Sequence, residues 1–271
     1  MKTVTGKIGV AIVAALVLAA IFAPSIAPCD PAAQDFSLSF AGPSMSHPFG
    51  NDADGRDILS RIIYGTRISL GIGIAVVGIS LVAGCLVGLV AGYSGGWIDR
   101  IFVFVADVFL SFPGFLFAVA VAAFLRPSIS NVVIILCIKG WVTYARLVRG
   151  QAMVLKEREF VSAARAMGAR TSRVLLRHLF PNMLGPVIVN ASFGLAGVIM
   201  VESALSFLGL GVPVDVPSWG AMIEQGTQYL LLAPHLSIFP GLAIMLVVLG
   251  FNFLGDGLRD ELTSTAHRGG A

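Results

Sequence analysis

The chain has 271 residues, of which 56% are hydrophobic and only 12% are charged. Soluble domains carry roughly 25% charged residues, so the composition excludes a fully water-facing surface and predicts an all-α integral membrane protein. The formal net charge of +3 does not indicate a nucleic-acid partner, because the basic residues stand at the ends of apolar stretches, where membrane topology accounts for them.

Six apolar stretches are long enough to cross a membrane, since a spanning helix needs about 20 apolar residues. They are residues 8–27, 68–98, 101–125, 127–145, 182–201 and 236–255. The first follows two lysines and is similar to a secretory signal, but Pro24 and Pro28 stand where proline hinders cleavage. An uncleaved first span is therefore expected, and Pro28 directly before Cys29 also argues against a lipoprotein.

Lysine and arginine residues are concentrated in alternate connecting segments. With a cytoplasmic N-terminus, the cytoplasmic segments are 1–7, 93–100, 146–177 and 257–271, and they hold 13 of the 18 basic residues. The positive-inside rule therefore predicts that both termini are cytoplasmic and that the polar segment 28–67 is external.

The external segment contains Gly50–Asp57, whose acidic spacing is similar to that of a calcium loop. With Gly55 as the turn glycine, however, Gly50 and Arg61 would fill the first and twelfth ligand positions, and neither supplies a carboxylate, so no calcium site is predicted. Asp57 is instead expected to cap a short amphipathic helix. Its isoleucines are predicted to face the membrane and its arginines water or headgroups; these residues are Ile58, Ile62 and Ile63, and Arg61 and Arg67.

Glycine recurs at every fourth position in span two, at Gly84, Gly88 and Gly92. This spacing removes the side chains from one helix face, so we expect another helix to pack closely there. Proline interrupts the backbone hydrogen bonding of spans three, five and six and is expected to bend each of them. The prolines are Pro113, Pro186 and Pro240.

Three charged side chains within or near the spans are candidate pathway residues: Asp107, Lys139 and Glu202. A charge at mid-span costs at least about 2.5 kcal/mol on insertion scales, which makes Lys139 a functional candidate. The alternatives are that Lys139 extends its ammonium toward the interface or pairs with Asp107. Glu202, at the outer end of span five, is predicted to lie at the interface or at the mouth of the pathway rather than to act in catalysis.

No catalytic or metal site is predicted from the sequence. The three cysteines are scattered, and the four histidines fall outside the spans or at their ends, which disfavours an intramembrane enzyme. A secondary transporter would require ionisable residues in several spans and inverted repeats, but only two charges lie well inside and no repeat is visible. The sequence has no Gly-x-x-x-x-Gly-Lys-Ser/Thr phosphate loop, so ATP is expected to bind to other chains and no cofactor to this one.

The most informative polar segment lies between spans four and five, from Tyr144 to Pro181. Within Lys156–Ala169, the apolar residues follow helical spacing and predict a narrow stripe on a short helix. They are Phe160, Ala163, Ala164 and Met167. Gly168 is expected to end this helix as a C-terminal cap. A second helix is expected to start at Thr171 or Ser172 and to run to Pro181.

A helix–turn–helix outline is also typical of DNA-binding motifs, but here both ends are tethered close to spans, so a docking knob for a partner protein is predicted instead. The pattern Ser162-Ala163-Ala164-x-x-x-Gly168 resembles the signature of permease subunits of ABC importers, with Ser162 where many members carry Glu. In that family this loop is the coupling helix, which docks into a groove on the ATPase subunit, and we therefore call residues 156–181 the coupling segment. The ATPase contacts that the resemblance implies are Glu159, Phe160, Ser162, Ala163, Ala164, Met167 and Gly168.

Further patterns narrow the resemblance to the dipeptide, oligopeptide and nickel branch of this family, in particular its C-type permease. They are Gly50-Asn51-Asp52-x-x-Gly55-Arg56-Asp57, then Ser206-Phe207-Leu208-Gly209-Leu210-Gly211 with Ser218-Trp219-Gly220, and Gly255-Asp256-x-Leu258-Arg259-Asp260. The resemblance implies a type I ABC importer permease fold in the bacterial inner membrane. We expect three parts: residues 1–66 with the first span, the external loop and the amphipathic helix, a membrane core at 67–260, and a cytoplasmic tail at 261–271.

The same resemblance implies the partners of the chain. They are a homologous second permease subunit, two ATPase subunits that carry ATP and Mg²⁺, an extracytoplasmic solute-binding protein and the surrounding membrane lipid. Closure of the ATPase subunits on ATP would move the coupling helix and switch the pathway from inward- to outward-facing. Peptides are the default solute of this branch, and nickel, glutathione and opines stay open as alternatives.

Overall fold

The computed structural model describes residues 3–213 and 215–268, which fold almost entirely into helices. The helices are α1 (Val4–Ile21), α2 (Ala23–Ile26), α3 (Ile58–Ser94), α4 (Gly96–Ser111), α5 (Gly114–Ala122), α6 (Ile129–Leu155), α7 (Glu159–Ala166), α8 (Thr171–Arg173), α9 (Phe180–Phe207), α10 (Trp219–Thr227) and α11 (His235–Arg268). A 3₁₀ turn lies at Phe36–Leu38 and a π turn at Val174–Leu179. Residues 1–2 and 269–271, which belong to the predicted cytoplasmic ends, lie outside the described residues.

Five helical stretches of the described chain are long and apolar enough to cross a membrane, and the pair α4 and α5 makes a sixth candidate. The prediction of about six spans is therefore confirmed. The helices extend beyond the apolar stretches, since α3 begins at Ile58 and α6 continues to Leu155. Helical hydrogen bonding does not stop where side chains become polar, so the apolar stretch marks the membrane-buried part of a helix and not its ends.

The three prolines inside the spans have different effects. Pro113 separates α4 from α5, and the two helices meet at 75°, as expected for a residue that lacks a backbone N–H. Pro186 and Pro240 lie within α9 and α11, which continue through them. The sharp break is therefore confined to the third span.

The glycine face of α3 packs against α6, its most extensive neighbour. A Cβ atom at Gly84 would lie 2.5 Å from the carbonyl oxygen of Trp141, and one at Gly92 would lie 2.6 Å from that of Arg149. At Gly88 it would lie 2.9 Å from the Cα atom of Ala145. The two backbones approach more closely than any side chain allows, so the close packing expected from the glycine spacing is present.

The first span belongs to the same helix bundle. Helix α1 packs along α11, where a Cβ atom at Gly9 would lie 2.6 Å from the backbone of Phe253 and one at Gly250 would lie 2.6 Å from Ile12. Helix α3 runs without interruption through residues 66 and 67. The boundary predicted between the first part and the membrane core therefore lies within α3.

Two connecting regions, residues 22–57 and the described residues 208–213 and 215–234, lie together at one end of the bundle, and we call them the cap. The rings of Phe40 and Tyr229 lie 4.6 Å apart between their centroids. The Trp219 indole N–H donates to the Ile62 carbonyl at 3.1 Å, and its ring is fully buried. The coupling segment lies at the opposite end, because α9 starts there and finishes at the cap.

The start of α3 corrects part of the prediction for the external segment. Asp57 caps the helix as expected, accepting a hydrogen bond from the Ser60 N–H at 2.7 Å. The amphipathic helix is not separate, however, but forms the first turns of the 37-residue α3. Arg61, expected to face water, is 2% exposed and pairs with Asp52. Ile58 is equally buried, because the cap covers the face of α3 that the sequence alone assigned to membrane and water.

Candidate functional site

The coupling segment begins with α7, which ends in a Schellman motif. The Ala169 N–H donates to the Ala164 carbonyl and the Gly168 N–H donates to the Arg165 carbonyl, at 3.0 and 2.9 Å. Gly168 has a φ of +80°, the left-handed conformation that glycine adopts without strain. The predicted glycine cap is confirmed, and the next helical stretch starts at Thr171, as expected.

The second helical stretch differs from the prediction at its end. The sequence predicts a separate helix that finishes at Pro181, whereas the structure shows helical backbone from Thr171 through the π turn to Phe207. Pro181 stands directly after the π turn, at the second residue of α9, and does not end the helix. The coupling segment is therefore joined to a membrane span by continuous helix.

The two faces of α7 have different surroundings. Val161 is buried in a cluster with Val174 and Leu179, and Ala164, three residues further along the helix, is buried as well. The remaining predicted contacts of α7 are exposed; they are Glu159, Phe160, Ser162, Ala163 and Met167, followed by Gly168. Met167 is 82% exposed, an unusual position for a large apolar side chain beside a helix that already has a buried face.

Ala164 corrects the predicted stripe, because its side chain points into the chain instead of toward a partner. Helical spacing is consistent with two different apolar faces of α7, since Val161 and Ala164 also stand three residues apart. Val161 was not among the predicted residues. The choice between the two faces depends on where Val174 lies, which is a tertiary contact.

Two contacts attach the coupling segment to the end of α3. The Arg165 guanidinium lies over the Tyr93 ring, 5.0 Å from its centroid. The Lys156 ammonium donates to the Gly92 carbonyl at 3.1 Å. The coupling segment is therefore connected to α3 through these contacts and to α9 through the backbone.

The candidate charges of spans three and four do not pair with each other. Asp107 accepts a hydrogen bond from Arg146 at 3.0 Å, while the Lys139 ammonium donates to the carbonyl oxygen of Phe112. Helices α4 and α6 are antiparallel, and their register sets Arg146 opposite Asp107 and Lys139 opposite the break at Pro113. The predicted alternative of a Lys139–Asp107 pair is therefore wrong. The residue pattern of each helix does not show the register between α4 and α6 that places Arg146 opposite Asp107.

Glu202 is fully buried, which corrects its predicted place at the interface or pathway mouth. Ser206 and Ser218 donate to one carboxylate oxygen at 2.9 and 3.1 Å, and Ser69 donates to the other at 3.1 Å. Ser203 lies 3.5 Å from the same second oxygen. The carboxylate thus joins α3, α9 and the start of α10. The sequence does not show this role, because Ser69 and Ser218 are distant from Glu202 in the chain.

Two acidic residues of the cap, Asp52 and Asp54, pair with arginines. Asp52 pairs with Arg61 and, at 2.8 Å, with Arg56, while Asp54 pairs with Arg56 at 2.7 Å. The His47 ring nitrogen lies 3.0 Å from the carboxylate of Asp57. This loop is therefore a network of ion pairs.

The chain matches two protein-family models. Residues 84–264 match the family "binding-protein-dependent transport system inner membrane component". Residues 5–43 match the N-terminal transmembrane domain of oligopeptide transport permease C. Together the two matched regions take in most of the chain.

Curated relatives are similar over nearly the full length. The dipeptide transport system permease protein DppC of Alkalihalophilus pseudofirmus is 44% identical over 255 residues, which cover 94% of this chain and 84% of the relative. The glutathione transport system permease protein GsiD of Pectobacterium atrosepticum is 45% identical over 228 residues, covering 84% and 76%. GsiD of Escherichia coli O157:H7 is 45% identical over 248 residues, covering 91% and 82%.

A solved structure has the same fold. A chain of the inward-facing MetNI methionine ABC transporter superposes with a TM-score of 0.60, at 18% identity, over 74% of this chain and 95% of that one. Such a low identity establishes shared architecture alone, and that architecture is the type I importer permease fold expected from the sequence. Taken with the helix bundle, the coupling segment and the relatives, it leads to one conclusion: the chain belongs to the inner membrane components of binding-protein-dependent transport systems.

Proposed function

We propose that this chain is one of two homologous permease subunits of an ATP-driven importer and forms half of its solute pathway. Two ATPase subunits would bind ATP and Mg²⁺, and an extracytoplasmic binding protein would deliver the solute. The observation that carries this proposal is the division of α7 into a buried face and an exposed face of small and apolar side chains. A helix anchored on one side and unpartnered on the other is suited to docking.

The exposed face of α7 is the proposed ATPase contact. Ala163 allows a partner backbone to approach closely, and Phe160 and Met167 supply apolar area on either side of it. A large exposed apolar group gains free energy when a partner removes it from water. Movement of the ATPase subunits would then pass to the spans through the contacts with α3 and the continuous helix into α9.

The proposed orientation places the coupling segment and both termini in the cytoplasm and the cap outside. The excess of lysine and arginine around the coupling segment supports it. In a variant without the native cysteines, Ser46→Cys in the cap should react with an impermeant thiol reagent on intact cells. Ser172→Cys, which is equally exposed, should react only after the cells are opened. Labelling of Ser172→Cys on intact cells would contradict the proposed orientation.

The proposed solutes are dipeptides, oligopeptides or glutathione. The names of the curated relatives support this range. Nickel and opines remain alternatives within the wider branch that the sequence resembles. Identifying the solute held by the cognate binding protein would choose among them.

The docking proposal is tested by a pair of substitutions at one exposed position. Ala163→Asp places a carboxylate in the proposed interface, where burial without a partner costs several kcal/mol. Ala163→Ser is the matched control, because serine is small and uncharged. When the ATPase subunits are co-expressed, Ala163→Asp should leave membrane abundance unchanged but reduce their co-purification by at least about tenfold. Normal co-purification and transport by Ala163→Asp would remove the main support for the proposal.

A further inference from the structure

The break between α4 and α5 exposes irregular backbone within a membrane span. The residues around Phe112 and Pro113 are exposed on the surface of this chain. Lipid offers no hydrogen bonds, so irregular backbone at membrane depth is tolerated only where protein covers it or where it lines a water-filled cavity. This side of α4 therefore does not face lipid.

Lys139 lies at this break. Its ammonium donates to the Phe112 carbonyl, at the negative end of the α4 dipole, which stabilises a cation there. In the described part of the chain no carboxylate stands within ion-pair distance of it, because Asp107 pairs with Arg146 and Asp99 with Arg149. Two of the three N–H donors of an ammonium remain for another partner. The charge is thus held in place without being neutralised.

Lys139 heads a polar stripe along α6. Thr143, Arg146 and Gly150 follow it at positions i+4, i+7 and i+11, on the same helix face, and all three are exposed. The ion pair of Arg146 with Asp107 leaves both side chains more than half exposed, at 52% and 57%.

The exposed face of α3 is different in chemistry. Its residues there are apolar; they include Ile74, Ile79, Val82, Leu86 and Val90. Such a face suits contact with lipid, whereas half-exposed charges within a span are found facing a bundle interior or a water-filled cavity. The polar stripe of α6 and the break beside it therefore mark the side of the chain that meets the pathway.

We propose that Lys139 is the cationic contact in the pathway for a carboxylate group of the transported solute. This inference rests on the proposed function and refines it, since dipeptides, oligopeptides and glutathione all carry a free carboxylate. A neutral carbonyl holds the lysine in position, so no fixed acid competes with the solute for its charge. The remaining ammonium N–H groups supply the charge-assisted hydrogen bonds that a carboxylate accepts.

The test compares two solutes that differ only in this group, dialanine and its C-terminal amide. The complete importer with its binding protein is reconstituted in proteoliposomes, at solute concentrations that saturate the binding protein. Delivery by the binding protein is common to parent and variants. The uptake rate of dialanine divided by that of its amide therefore isolates the pathway contact. Lys139→Gln keeps an N–H donor for the Phe112 carbonyl but removes the charge, and should reduce the ratio roughly tenfold. Lys139→Arg should keep it.

Controls separate the charge from structural effects. Arg126→Gln removes an exposed cation outside the polar stripe and should leave the ratio unchanged. Lys139→Asn is a second neutral variant should Lys139→Gln assemble poorly. An equal loss of both solutes in the neutral variants would mean that Lys139 serves only as a donor at the helix end, and would overturn the inference while leaving the proposed function intact.

The parent protein tests the solute class itself. Uptake of dialanine or glutathione by the parent is expected. If the parent imports neither, the solute part of the proposed function and the carboxylate contact both fail. The docking of the ATPase subunits would be unaffected by that result, since it is measured by co-purification.

Discussion

The cap and the coupling segment differ in how deeply the charged side chains around them are buried. Beneath the cap, Arg61 of α3 is buried against Asp52, and Glu202 is surrounded by serine hydroxyls. In the coupling segment the arginines lie at the surface, and Met167 is exposed as well. Buried charges are tolerated only when paired and hydrogen-bonded, so the charges beneath the cap need the partners that this chain supplies.

This difference indicates how substitutions in the two regions should act. The charges buried beneath the cap are paired within this chain, so substitutions that remove a partner should affect the folding of the chain. The coupling segment leaves apolar surface uncovered, so its exposed substitutions should affect assembly and not folding. The two regions are connected by α3, whose first turns lie under the cap and whose last turns contact the coupling segment.

The largest effect on folding is expected from Asp52→Ala. This change leaves Arg61 buried without its carboxylate and also removes a partner of Arg56, which should destabilise the chain by about 3–5 kcal/mol. The measurement is the thermal unfolding midpoint in detergent together with membrane abundance. We expect a large fall in both.

Asp54→Ala is the control for this prediction. Asp54 also pairs with Arg56, but its side chain is 42% exposed, so its loss should cost less than about 1 kcal/mol. Equal unfolding midpoints for Asp52→Ala and Asp54→Ala would mean that the buried network does not stabilise the cap.

A smaller but still clear effect is expected from Gly88→Leu. The new side chain would meet the backbone of Ala145, and separating α3 from α6 should cost about 3 kcal/mol. Because α3 connects the two regions, both the stability of the cap and the co-purification of ATPase subunits should fall. Recovery of intact complex by size-exclusion chromatography measures the result.

Gly78→Leu is the matched control for this substitution, since it lies in the same helix and a Cβ atom there would meet nothing within 4 Å. It should assemble like the parent protein. If Gly88→Leu gave the same yield as Gly78→Leu, the close approach of α3 and α6 would not be required for assembly.

Features that depend on neighbouring residues in sequence could be predicted. The N-terminal capping of α3 by Asp57, the end of α7 at Gly168 and the glycine face of α3 were predictable. They follow from local spacing and from the conformations that each residue type adopts. The break at Pro113 follows in the same way, from the missing N–H.

Features that depend on which elements meet could not be predicted. Arg61 has the polarity of a surface residue, and only the fold of the cap over α3 buries it. Ala164 has the same spacing as Ala163 to its apolar neighbours, and the position of Val174 decides which one faces inward. Lys139 and Asp107 were separated by the register of two antiparallel helices, which single-helix patterns do not contain.

The smallest effect is expected from Gly168→Ala, which probes the coupling segment without adding charge or a steric contact. A Cβ atom at this position would meet nothing within 4 Å, so the only cost is the left-handed backbone at a φ of +80°. That strain is about 1 kcal/mol for a residue with a side chain. Since docking requires an ordered C-terminal end of α7, ATPase affinity should fall by about fivefold at most.

Gly71→Ala, at an exposed helical glycine with equal space around it, controls for the added methyl group and should not weaken binding. Titration of purified ATPase subunits against the variants measures both. A loss as large as that of Ala163→Asp would mean that the glycine contacts the partner directly, and no loss at all would mean that the Schellman motif is not needed in the docked state.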